Sequence, residues 1–492
     1  FEQYSVILVC MAFFFTFLRL HEVKVTEKRV FHIAGFIVVA LGCGLFTNQI
    51  ILSDFMEEHQ INIRMFRPME SYQKYGGVLT FARSVGYAVV KKPEGYTTAK
   101  VDQIIQEYEK KSANAQQSTA KQYPNIITVV NETFADIKVL GNFKTNEDYM
   151  PYFHSLKKNC VTGYTYASIV GGQTANTEFE LLTGNTLGFL SAGTTAFQLY
   201  IHGQMPSLVS NLKAEGYSGN KAMHPFNPYN YNRPAVYKDF GFTDFIDKFD
   251  FPKNVKRVRE YISDEANVDR IISEYEKNRK KTDQPFYMYN MTIQNHSPYD
   301  KDAANFKQPI KIESSKYDAE ANRYLNLIKY SDDSLKQLTG YFEKCKEPTI
   351  ILFLGDHQPR LTDEFMNKIT NGQYQTWSSE QMMKRYQVPF VIWANYDIKE
   401  QHIEKTSMNY IQSILTKTAG VKMTGYQRFL NEVRKEVPTI TSQGYWGKNG
   451  KFYQINDKGS PYYGIIQKYR MIQYNMMFDK KNRRDSFFEV SK

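Results

Sequence analysis

The chain has 492 residues, 42% apolar, 15% aromatic and 23% charged, with a net charge of +11. That composition suits an ordered globular protein and excludes a disordered one. The basic balance is either a solvated surface or an attraction for anionic lipid or polymer, and no basic helix, zinc knuckle or Gly-rich phosphate loop accompanies it, so nucleic acid is not an expected partner. The four cysteines show no metal-ligand spacing and no disulfide framework, since Cys10 and Cys43 sit in apolar segments and Cys160 and Cys345 stand far apart.

Residues 1–52 predict two transmembrane helices. Tyr4 to Leu18 carries no charge, and Val30 to Leu52 is free of Asp, Glu, Lys and Arg and long enough to span a bilayer. Between them Arg19, Lys24, Lys28 and Arg29 outnumber Glu22 and Glu27. The positive-inside rule makes that loop cytoplasmic and puts the rest of the chain outside the membrane. Because the first residue is Phe rather than Met, further upstream sequence is expected. Residues 53–122 read as a juxtamembrane helical linker, broken at Lys92-Pro93-Glu94-Gly95. It ends in a polar, Ala-rich run whose Ala113-Asn114-Ala115 fits the small-x-small pattern of signal-peptidase sites.

From residue 123 strands and helices alternate, to about residue 445. Asn125 to Val130, Phe286 to Ile293, Thr349 to Leu354 and Pro389 to Ala394 are apolar runs of strand length. Helical stretches lie between them, such as Ala319 to Lys344 with an apolar face at Tyr324, Leu325, Leu327 and Ile328. The pattern predicts an α/β fold, a mostly parallel sheet flanked by helices. Residues 446–492 are expected to form a C-terminal helical extension, with Gln467 to Phe478 as an amphipathic helix docked on the preceding domain.

Three strand ends supply polar groups: Glu132, His296 and the pair Asp356-His357. In a parallel sheet such ends converge on one edge, where ligands bind. Two carboxylates and an imidazole suit Mn²⁺ or Mg²⁺ better than a thiolate-seeking ion, and Zn²⁺ also accepts such donors. Gly171-Gly172-Gln173-Thr174 is a Gly-rich turn leading into a helix expected over Thr177 to Thr183. A hydroxyl at a helix start is either an N-cap or a nucleophile poised beside backbone N–H groups.

Together these segments resemble the lipoteichoic acid synthase family, membrane-anchored phosphoglycerol transferases of the alkaline phosphatase and sulfatase superfamily. The resemblance runs from about Ser53 to the C-terminus. It implies a metal held by Glu132, Thr174, Asp356 and His357, with Thr174, in a T-x-x-x-E-F context, as the nucleophile. It also implies a substrate pocket of Arg233 and Tyr231, in Tyr231-Asn232-Arg233, with His224 and with His296, in an N-H-x-P-[FY] context. Two positions depart from the family pattern: Tyr231 stands where Trp is expected, and Gln358-Pro359-Arg360 follows the metal pair. Both bear on the acceptor rather than on the chemistry.

What the resemblance implies is a bacterial membrane enzyme with an extracellular catalytic domain. It would move glycerol phosphate from phosphatidylglycerol, through a threonine-linked intermediate, to a glycolipid or polysaccharide acceptor, with His296 protonating the leaving alkoxide. Other superfamily chemistry is the alternative: phosphoethanolamine transfer, or transfer to water by a phosphodiesterase. A sulfatase proper needs a C/S-x-P-x-R segment, which does not flank Thr174. A non-catalytic membrane protein that binds envelope polymer is the reading from another class, supported by charge and aromatic content alone.

Overall fold

Strands β1 (Asn125–Asn131) and β6 (Thr349–Gly355) are buried at every position, as expected of strands covered on both faces. The computed structural model describes residues 29–52, 68–88, 90–112, 122–313, 319–372 and 374–490. The other strands of the main sheet are β2 (Cys160–Tyr166), β3 (Ser218–Met223), β4 (Asp244–Ile246), β5 (Phe286–Met291), β7 (Gln387–Ala394) and β8 (Gln401–Ser407). The eight strands lie in the order β8-β2-β7-β6-β1-β5-β3-β4. Strands β6, β1, β5, β3 and β4 pair in parallel, as do β2 and β8. Only β7 of this sheet runs antiparallel, to both its neighbours.

Alternation along the strands divides the core in two. Ile126, Val130, Ile350, Leu352 and Leu354 face the helices Thr174–Thr183, Met408–Thr418, Gly425–Glu436 and Tyr463–Met477, which contribute Phe179, Ile411, Phe429 and Ile472. Ile127, Val129, Ile351 and Phe353 face Asp264–Arg279 and Ala319–Phe342, which contribute Ile271, Leu325 and Ile328. Each fully buried aliphatic side chain here contributes about 1.5–3 kcal/mol. The expected α/β architecture is therefore present. The strand expected at Pro389–Ala394 runs against the others because residues 356–386 leave β6 and re-enter the sheet at the same edge.

The helix Tyr463–Met477 buries Ile466, Tyr469, Ile472 and Met476 in the first of these cores, beside Val101 and Ile104 of the helix Thr98–Ser112. Arg484 clamps the latter helix by a two-pronged contact with Asp102 at 2.6 and 2.8 Å.

The described chain falls into two compact units, and the sheet belongs to the larger. The smaller, residues 1–63 and 69–89, contains the helix Arg29–Phe46, which passes into a π-helix over Thr47–Leu52, and the helix Gly77–Ala88. Val38, Val39, Leu41 and Leu45 are exposed. Among the described residues no helix is long and apolar enough to cross a membrane. The single α-helical span expected over Val30–Leu52 is interrupted where the hydrogen bonding changes at Thr47. The first expected span, Tyr4–Leu18, and the Ala113-Asn114-Ala115 triplet lie outside the described residues.

Candidate active site

Parallel pairing of β1 with β6 brings Asn131 level with Gly355, so the residues that follow, Glu132 and Asp356-His357, leave the sheet side by side. Ligand atoms of Glu132, Asp356 and His357 all lie within 4.8 Å of one another, and all three side chains are buried. Asp356 Oδ1 is fixed by two backbone donors, Thr133 N at 2.6 Å and His357 N at 2.8 Å. Asp356 Oδ2 lies 3.2 Å from His357 Nε2 without the geometry of a hydrogen bond. Neither atom finds a partner among the described residues.

The His357 Nδ1 contact is to the Gln358 carbonyl at 3.0 Å, and a carbonyl can only accept, so Nδ1 carries the proton and Nε2 presents a lone pair. That is the tautomer of a metal-bound histidine. Burial, then repulsion from Asp356, pushes the Glu132 carboxyl well above the usual carboxylate range, against the opposing pull of His357, Thr133 and Arg233. Two orphaned buried atoms that both present lone pairs, beside a destabilised carboxylate, fit a divalent cation. The donor set is mainly oxygen, which favours hard ions such as Mn²⁺.

Thr174 opens the helix Thr174–Thr183, three residues ahead of the expected start. The N-cap position belongs to Gln173, in the left-handed region at φ +68°, and no side-chain capping bond forms there. The capping explanation for Thr174 is therefore set aside. Gly171, with φ +68°, approaches Arg360 so closely that an added Cβ would lie 3.1 Å from the arginine Cβ. One turn into the helix, the Thr177 hydroxyl donates to the Asp356 carbonyl at 2.8 Å, tying the helix to the loop that carries Asp356-His357. The Asn176 N–H donates to the Gln173 carbonyl at 2.8 Å, and the N–H groups ahead of it, at the helix start, suit an anionic phosphoryl group.

Thr174 lines a cavity of about 500 Å³ together with Glu132, His357, Arg233, Tyr231, His224 and His296. Of the residues expected in the site, Asp356 alone does not line it, being fully buried. Arg233 is 2% exposed, its guanidinium lies over the Tyr231 ring, and its Nε and Nη2 donate to Glu178 Oε1 at 3.1 and 2.7 Å. Tyr237 and Tyr289 donate to the other oxygen of Glu178. Burial opposes the charge on Arg233, but the Glu178 carboxylate outweighs it and raises the arginine pKa. Glu178 was not singled out from the sequence, although its place four residues after Thr174 puts both on one helix face.

His224 Nδ1 meets the Met291 carbonyl at 3.0 Å, leaving Nε2 as an acceptor. Burial and the nearby Arg233 hold its pKa well below the usual value, so it is neutral at physiological pH. His296 Nδ1 contacts the Ser297 carbonyl at 2.7 Å, and the ring stacks on Phe226. A buried arginine also missed in the sequence, Arg259, donates to the carbonyls of Gln294, His296 and Pro298 and holds this loop.

The sulfatase family model matches residues 124–421. A Rhizobium meliloti protein provisionally assigned to cyclic beta-1,2-glucan modification is 31% identical over 433 residues, 86% of this chain and 65% of its own length. The lipoteichoic acid synthase of Staphylococcus saprophyticus is 24% identical, over 73% of this chain and 55% of its own. The chain spans between about a third and two thirds of the length of the first curated relatives it matches. The fold is shared with the Streptococcus pyogenes phosphoglycerol transferase GacH, solved with sn-glycerol-1-phosphate. That likeness has a TM-score of 0.66 and 21% identity, covering 82% of this chain and all (100%) of that one. Family match, sheet and strand-end site agree, and the chain belongs to the sulfatase family.

Proposed function

We propose that the chain transfers glycerol phosphate from phosphatidylglycerol, through an ester on Thr174, to a hydroxyl of a cell-envelope glycopolymer or glycolipid. The observation that carries this reading is the orphaned pair, Asp356 Oδ2 and His357 Nε2, beside a cavity that Thr174 and Arg233 also line. The name of the streptococcal relative lends the transferred group, and that of the rhizobial relative suggests a β-1,2-glucan as the acceptor class. A divalent cation held by Glu132, Asp356 and His357, with Thr174 completing the set, would lower the threonine hydroxyl pKa and offset charge on the phosphoryl oxygens.

The residues of the chain divide the remaining work. Arg233 grips the phosphodiester through Nη1, which Glu178 does not engage. His224 accepts a hydrogen bond from a glycerol hydroxyl at Nε2, and Tyr231 forms the wall beside it. Thr174, its proton released to water beforehand, attacks phosphorus as the alkoxide; the bond to the diacylglycerol oxygen breaks and His296 protonates that oxygen. An acceptor hydroxyl then yields its proton to His296 and attacks the same phosphorus, and the bond to Thr174 breaks. The uncharged N-terminal stretches would hold this domain at the outer face of a bacterial membrane, close to its lipid donor.

The test is product analysis. Protein supplied with Mn²⁺, vesicles of phosphatidylglycerol labelled in the head-group glycerol, and a soluble β-1,2-glucan should yield labelled phosphoglycerol on the glucan by mass spectrometry. Free glycerol phosphate as the sole labelled product would identify a phosphodiesterase instead.

A further inference from the structure

A second hollow, of about 270 Å³, is lined by Gly141, Asn142, Asn371, Trp377, Gln381 and Lys384 among others. Residues 140–142 follow the carboxyl end of β1, and residues 369–384 lie between the carboxyl end of β6 and the start of β7. Because β7 is antiparallel, all of them belong to the sheet edge that carries Glu132 and Asp356-His357. Gly141 closes the hollow by a near contact that only glycine permits, since a Cβ there would lie 1.8 Å from the Ile369 carbonyl oxygen.

The hollow is tied to the catalytic cavity through Gln358-Pro359-Arg360, the segment that follows His357. Gln358, next to the metal-ligand His357, donates to the carbonyls of Lys384 and Gln387, both at 2.8 Å. Arg385 reaches back to the Pro359 carbonyl at 3.4 Å, and Pro359 and Arg360 line the catalytic cavity. The hollow is lined by one half-buried indole, three amide side chains, a threonine, two aliphatic residues, a glycine and an ammonium, with no carboxylate, whereas the catalytic cavity carries Glu132. An indole face matches the C–H face of a pyranose, and amides pair with vicinal hydroxyls as donor and acceptor at once. Lys384 adds attraction for a glycan that already carries phosphate.

The geometry points to this hollow as a sugar-binding subsite that holds the acceptor glycan beside the catalytic cavity. Its place in the reaction rests on the phosphoglycerol-transfer reading, whereas the binding itself does not. The probe is a soluble β-1,2-glucan oligosaccharide, titrated calorimetrically into the Thr174→Ala protein so that binding is read without turnover. Adding Trp377→Ala should weaken that binding by about tenfold or more, and Trp377→Phe, which keeps a stacking face, should recover part of it. Gln381→Ala, on an exposed position, should weaken it less. In the otherwise wild-type enzyme, Trp377→Ala should lower transfer to glucan relative to release into water by a similar factor. Equal affinity with and without Trp377, or no glucan binding at all, would overturn the inference. Trp377-dependent binding in a protein that transfers nothing would uphold the subsite and reject the reaction.

Discussion

Arg233 and Glu178 are buried as deeply as Glu132, Asp356 and His357, yet the two groups differ in how their polar atoms are satisfied. Glu178 takes Arg233 on one oxygen and two tyrosine hydroxyls on the other, so its charge is answered wholly within the chain. The other group leaves Asp356 Oδ2 and His357 Nε2 without partners and forces Glu132 toward its neutral form. Unpaired buried charge costs several kcal/mol. A fold keeps such a cost where something outside the chain completes the site. On the proposed reading the closed group aims a side chain, and the open group is the candidate site for a divalent ion.

The sharpest way to break that distinction is to neutralise the open group. Asp356→Asn should reduce turnover of phosphatidylglycerol by about a thousandfold or more and abolish the rise in melting temperature that Mn²⁺ should give the wild-type protein. Glu178→Gln attacks the closed group: it leaves Arg233 buried without its counter-charge and should cost about 3–5 kcal/mol in urea unfolding. Its Mn²⁺ response should survive, and Glu178→Gln combined with Arg233→Met should recover part of the stability. Arg233→Lys keeps the charge but not the geometry that serves Glu178 and phosphate together. It should lower kcat/KM by about a hundredfold with a smaller loss of stability.

The smallest effect lies away from the cavity, at a half-exposed ion pair. Contact with Asp136 and Asp148 raises His154 to about 9, overcoming its partial burial. A histidine raised above its unfolded value near 6.5 stabilises the fold fully below that pH and loses the effect as pH rises through about 9. With 36% of the side chain exposed, screening limits the gain to about 0.5 kcal/mol. His154→Gln should flatten the stability profile over that window in urea titrations.

What was legible in the sequence follows the same physics as what was not. Glu132 and Asp356-His357 could be read because each follows an apolar run that only a doubly covered strand explains. Strands β2, β3 and β8 escaped notice: CVTGYTY, SGNKAM and QHIEKTS are polar, and β8 lies at the sheet edge. Phe286 to Ile293 was read two residues too long because Thr292 and Ile293 remain buried after the strand ends at Met291. Glu178 was visible as a letter in TANTEF, but its partner lies 55 residues away, and no local pattern reports a buried pair across that distance. The interruption at Thr47 is likewise silent in hydropathy, which measures apolarity and not hydrogen-bond register.

The central claim is that Thr174 carries the phosphoglycerol group. Wild-type protein should be mixed with Mn²⁺ and head-group-labelled phosphatidylglycerol, without acceptor, then quenched during turnover and digested. The account predicts that label is found on the peptide containing Thr174, and that Thr174→Ala releases diacylglycerol only at background rate. Label on another residue, or diacylglycerol release by Thr174→Ala at the wild-type rate, would contradict it.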